Sequence, residues 1–126
     1  MTEKRQILEI NEKKKYLMQY LELLVLERGL KEGMTYFKQK IGCNTQASSV
    51  SFKNEFDEYD LTFSENINLG ERQIILEFGM PYPEEIYMYI DFNVFCALLE
   101  KWIKEKYSDN TELLGILEEV KVALGC

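Results

Sequence analysis

Ten carboxylates lie between Glu55 and Asp91, and they are the side chains with the widest chemical reach in this chain: Glu55, Asp57, Glu58, Asp60, Glu65, Glu71, Glu77, Glu84, Glu85 and Asp91. Carboxylates at such density could ligate a hard cation, share a proton as an acid–base pair, or act through their summed field. Metal binding by a calcium loop needs a DxDxDG run with its turn glycine and a distal acid, and no such run occurs. Paired carboxylates for glycoside hydrolysis need one acid held protonated by burial, and nothing in the pattern marks one. The chain has no histidine, which removes the usual proton shuttle near neutral pH and the commonest zinc ligand. No GxSxG, GxxxxGK[ST] or GxGxxG motif is present. The expectation is therefore no catalytic residue, no cofactor and no metal.

That leaves the field. Within residues 55–91 the ten acids face one base, Arg72, a formal −9, whereas the chain of 126 residues totals −7. Residues 1–42 carry nine bases and six acids, a net +3. Charge concentrated this way attracts a basic protein and repels nucleic acid and anionic lipid. The basic run Lys13–Lys15 alternates with Glu9 and Glu12 and reads as the outer side of an amphipathic helix. No apolar run reaches the ~20 residues that span a bilayer, and the first residues lack the pattern of a secretory signal. Cys43, Cys96 and Cys126 are widely spaced with no CxxC, which fits packed thiols and a frayed terminal one in a reducing cytoplasm. The expected partner is thus a basic protein, with neither direct nucleic-acid nor membrane contact.

The elements that position these acids follow from periodicity. A length of 126 residues and a hydrophobic fraction of 46% predict one domain over 1–126. Apolar residues recur at helical spacing over about 6–28, with Gly29 as the stop, and again over 30–41, with Gly42 as terminator. Strand-like runs follow at Val50–Phe52, Tyr59–Phe63, Gln73–Phe78 and Ile86–Ile90. Asp91 is placed to cap a helix running to about Tyr107, and Thr111 to cap a last helix ended by Gly125. The predicted class is α+β: N-terminal helices, a central antiparallel β-meander of about four strands with one wet face, and two C-terminal helices packed on it. The acids expected on loops and on the wet face are Glu55, Asp57, Glu58, Asp60, Glu65, Glu71, Glu84 and Glu85. Tyr82, between Pro81 and Pro83, is a candidate aromatic anchor.

The stretch DEYDLTF (Asp57–Phe63), a β-rich run, and EIYMYIDFNVFCALLEKWIKEKYSDNTELLGILEEV (Glu85–Val120) together resemble the immunity proteins of bacterial contact-dependent growth inhibition systems. The likeness is to those that protect against ribonuclease toxins. There, a strand leads into an aromatic-rich helix, a polar break and a terminal helix rich in Glu and Leu. Here Ile86–Ile90, Asp91–Phe95 and Leu98-Leu99 take those places, while Asn93 stands where the family carries an acid. The resemblance implies a cytoplasmic inhibitor that binds one cognate toxin nuclease without chemistry of its own. Two other classes fit the charge: an acidic nucleic-acid mimic, and an adaptor domain that binds a basic cellular protein.

Overall fold

The structure is a computed structural model and describes residues 5–55, 69–79 and 85–126. Its elements, in chain order, are β1 (Arg5–Gln6), α1 (Ile10–Glu27), α2 (Leu30–Phe37), β2 (Ser48–Phe52), a 3-10 turn (Lys53–Glu55), β3 (Gln73–Phe78), β4 (Ile86–Asp91), α3 (Phe92–Lys106) and α4 (Thr111–Leu124). The α+β class is as expected. The sheet departs from the expected antiparallel meander: its order is β1-β4-β3-β2, with β2, β3 and β4 antiparallel and β1 parallel to β4 at the edge. The strand expected at Tyr59–Phe63 lies outside the described residues.

β1 takes Gln6, the first residue that helical spacing assigned to the first helix, and the helix itself begins four residues later. Arg5 N–H donates to Glu85 O and Ile7 N–H to Tyr87 O, each at 2.9 Å, so this segment satisfies its backbone on the free edge of β4. Ile7 is buried but Ile10 is 44% exposed, so their helix-like spacing was not one stripe. The helix proper starts at Ile10, where the Glu9 carboxylate accepts from the amides of Asn11 and Glu12 at 3.0 and 2.9 Å.

α2 stops at Phe37, short of Ile41. Lys40 takes the left-handed conformation at φ 57°, with Lys40 N–H bonded to Phe37 O and Ile41 N–H to Tyr36 O. This is a Schellman ending with lysine in the place usually filled by glycine. Gly42 has a different task. A Cβ there would fall 1.7 Å from the Val50 carbonyl oxygen, so only glycine lets the loop cross β2. Asp91 precedes α3 but its carboxylate caps nothing; it accepts from Gln73 Nε2 at 3.0 Å across the β3–β4 ladder. Asn110, one residue before Thr111, caps α4 by accepting from Leu113 N–H at 3.0 Å.

The ladder fixes which side chains share a side. Ile74↔Ile90, Leu76↔Met88 and Phe78↔Ile86 pair on one face, continued by Val50 and Phe52 of β2, and all are buried. They form one cluster with Leu17, Leu21 and Leu24 of α1, Met34 and Phe37 of α2, Phe95 and Leu99 of α3, and Leu117 and Val120 of α4. Phe37 stands at its centre, edge-on to Phe95 at 5.3 Å and tilted against Phe52 at 6.4 Å. Tyr20 is fully buried and donates its hydroxyl to Cys43 O, holding the loop after α2 to α1; burial pushes its phenol well above its ordinary pKa. Burial also raises the Cys43 and Cys96 thiols. The Cys126 thiol is seated rather than frayed, 3.4 Å from Phe92 O.

α3 and α4 are joined on their outer side by Glu100, which receives Lys104 Nζ at 2.6 Å and Lys121 Nζ at 2.8 Å. Those two hydrogen-bonded ammonium groups lower its carboxyl to about 2. A depressed carboxyl pKa contributes stability that is fully present above the unfolded value near 4.3 and disappears as pH falls through the folded value. We expect Glu100→Gln to lower Tm at pH 7 and the gap to wild type to close between about pH 4.5 and pH 2. Paired melts across that window check it; a gap constant with pH would contradict it.

Candidate protein-binding face

Sheet register leaves a second face whose side chains point away from the helices: Ser49↔Glu77↔Tyr87 in one row, Ser51↔Ile75↔Tyr89 in the next, and Gln73↔Asp91 at the end. Most of these are half-buried, whereas Asp91 is exposed. Tyr87 and Tyr89 lie edge to face at 5.8 Å, and Tyr87 OH donates to Gln6 Oε1 of the edge strand at 3.4 Å. Ile75 is buried although it lies outside the main core cluster.

The acids singled out from sequence fall in several places. Glu71 is exposed in the turn before β3. Glu85 is half-buried just ahead of β4, its carbonyl taken by Arg5 N–H. Because β3 and β4 are antiparallel, these two mark opposite ends of the sheet, roughly 20 Å apart at about 3.4 Å per strand residue. They do not form one cluster. Asp57, Glu58, Asp60, Glu65, Tyr82 and Glu84 lie outside the described residues.

Glu55 works inward. Its Oε1 accepts from Gly42 N–H at 2.7 Å and from Phe52 N–H at 2.8 Å, tying the loop after α2 to the end of β2. Two amides on one carboxylate oxygen make it a loop clamp, which removes much of its freedom to meet a partner.

The outer face brings Glu77 and Glu85 together. Both line a hollow of about 320 Å³ at the end of the sheet, with Thr45, Gln46, Ser49 and Gly79 around them. Two carboxylates beside hydroxyl and amide groups give this hollow a negative, polar lining. Sequence reasoning passed over Glu77, Tyr87 and Tyr89. Their alternation with Met88, Leu76 and Phe78 was the available signal.

Arg72, the single base of the acidic stretch, is turned to the helices. Nη1 donates to Leu124 O at 3.1 Å and Nη2 to Gly125 O at 3.2 Å, while the guanidinium carbon lies 5.5 Å from the centre of the Phe92 ring. There it meets the negative end of the α4 dipole, beside the left-handed Gly125 at φ 71°. Among the described residues no group of three or more acids and thiols is arranged to hold a metal ion, and no helix is long and apolar enough to cross a membrane. Comparison with protein-family models, curated proteins and solved structures finds no match to this chain.

The clamp and the exposed acid should separate in a stability assay. Glu55→Ala leaves two amides without their acceptor and is expected to cost about 1–2 kcal/mol by urea unfolding. Glu71→Ala, on an exposed turn, should stay within about 0.5 kcal/mol of wild type. Equal effects would show that the Glu55 contacts contribute nothing.

Proposed function

We propose that this protein is an immunity protein that binds and neutralises a cognate toxin nuclease, most simply a ribonuclease domain of a contact-dependent inhibition system. The observation that carries the reading is the commitment of Arg72 to the C-terminus of α4. The ten carboxylates of residues 55–91 thereby receive no ion pair from the one base of their own segment. A nuclease must present a basic groove to its polyanionic substrate, and an acidic surface competes for that groove. The hollow lined by Glu77 and Glu85 adds negative charge at the end of the sheet, and Tyr87 adds aromatic surface beside it.

In this reading the protein acts by occupancy in the cytoplasm, with no catalytic step, metal or cofactor of its own. The field hastens encounter, and short-range contacts set residence time. Asp57, Glu58, Asp60, Glu65 and Glu84 add to the field by sequence position, and Tyr82 remains a candidate anchor.

The test uses the nuclease domain that this reading expects to be encoded directly upstream. Association followed by stopped flow is expected to slow about tenfold or more between about 50 mM and 500 mM salt, because the Debye length shortens over that range. The variant Asp57→Lys, Glu58→Lys, Asp60→Lys should lose protection of toxin-expressing cells while keeping its melt. A salt-independent rate, or full protection by the triple variant, would contradict the reading.

A further inference from the structure

The helix layer carries a second surface of opposite character. α1 and α3 enclose an open groove formed by two adjoining hollows, each of about 320–340 Å³, that share Lys14, Leu98 and Lys101. Its floor is apolar: Met18 from α1, and Val94, Leu98 and Trp102 from α3. Its rim is mainly cationic, with Lys14 and Lys15 on one side and Lys101 on the other, all three exposed, and a single carboxylate, Glu105, at one end. Lys31, Lys38, Lys104 and Lys121 are each held by a glutamate on the helix surface. The three rim lysines make no ion pair with a described residue.

A second, independent observation lies in the same floor. Trp102 is 2% exposed and its indole Nε1 has no hydrogen-bond partner among the described residues, whereas buried donors are almost always paired. The groove therefore combines an apolar bed, three lysines without an ion pair to a described residue, and a buried indole donor without a described partner.

We propose that the α1–α3 groove is a docking site for an acidic amphipathic helix of a partner protein. The lining residues of α3 run from Asn93 to Glu105, about 18 Å at 1.5 Å per residue, the length of a three-turn helix. Apolar residues of that helix at i, i+3 or i+4, and i+7 lie on Val94, Leu98 and Met18, and its flanking carboxylates meet the lysines. The groove is open along its length, unlike the concave sites that bury most of a small ligand. The net charge of −7 opposes approach to an extended anionic membrane, while a short acidic segment meets only the cationic rim. This site lies on the helix layer, apart from the acidic sheet face, and its occupant has the opposite charge to a nuclease.

Trp102 is the single tryptophan, so the full-length wild-type protein reports on its own groove. The probe is a synthetic fluorescein-labelled peptide of about four helical turns, with leucines at the anchor spacing and glutamates on both flanks. We expect a saturable shift in Trp102 emission with a matching rise in peptide anisotropy. Lys14→Glu combined with Lys101→Glu should weaken binding about tenfold or more with an unchanged melt. A peptide with lysines replacing the glutamates should not bind. Should the double variant unfold, wild-type affinity still decides: it must fall between about 50 mM and 500 mM salt. No saturable response, equal binding of both peptides, indifference to the double reversal or to salt, or a response to phosphatidylglycerol vesicles in place of the peptide would each overturn the proposal.

Discussion

The pairing register of β3 with β4 is the constraint on which both sides of this molecule depend. Side chains alternate across a strand, so the ladder that sets Ile74 against Ile90, Leu76 against Met88 and Phe78 against Ile86 also sets Glu77 against Tyr87 on the reverse. A slip of one residue would send three large apolar pairs to the outer side and bring a glutamate into the core. The hydrophobic requirement of the inner face thus fixes the polar layout of the outer one. Ile75, buried on the outer side, is the one apolar β3 residue that this division does not place in the main core.

Charge is divided along the same line. Four lysines of the helix layer are balanced locally: Lys38 with Glu119 and Lys31 with Glu112 join α2 to α4, Lys121 with Glu100 joins α3 to α4, and Lys104 shares Glu100. Such exposed pairs contribute little stability each, but they hold the outer sides of α2, α3 and α4 together. Arg72 crosses from the sheet to the helix layer and caps α4, subtracting the one cation from the acidic segment. A protein with one acidic sheet side and one cationic groove can address two partners of opposite charge.

Much of the fold was legible because local signals and tertiary packing agree there. β3 has the predicted bounds, β4 ends one residue later, and α3 and α4 follow their apolar stripes. Misreadings arose where a distant partner overrode local pattern. Ile7 fits a helical stripe, but the open edge of β4 draws residues 5 and 6 into a strand. Gly33 weakens α2 by propensity, yet a Cβ there would meet Leu24 Cδ2 at 2.5 Å, so close approach of α1 and α2 requires it. Asp91 has the right type and place for a cap, and Gln73, eighteen residues earlier, claims its carboxylate. The site was legible as a charge and not as a geometry. Composition marks Glu55 as one acid among ten, while its role depends on Gly42, thirteen residues earlier.

The acidic outer face of the sheet is the surface proposed to engage a basic nuclease. Amide chemical-shift mapping of the isotope-labelled protein, titrated with the candidate toxin nuclease domain, is the direct test. Perturbations are expected to centre on Ser49, Ser51, Glu77, Tyr87 and Tyr89 and to extend to Glu85 at the hollow. Perturbations confined to α1 and α3, with that sheet face unchanged, would contradict the proposal.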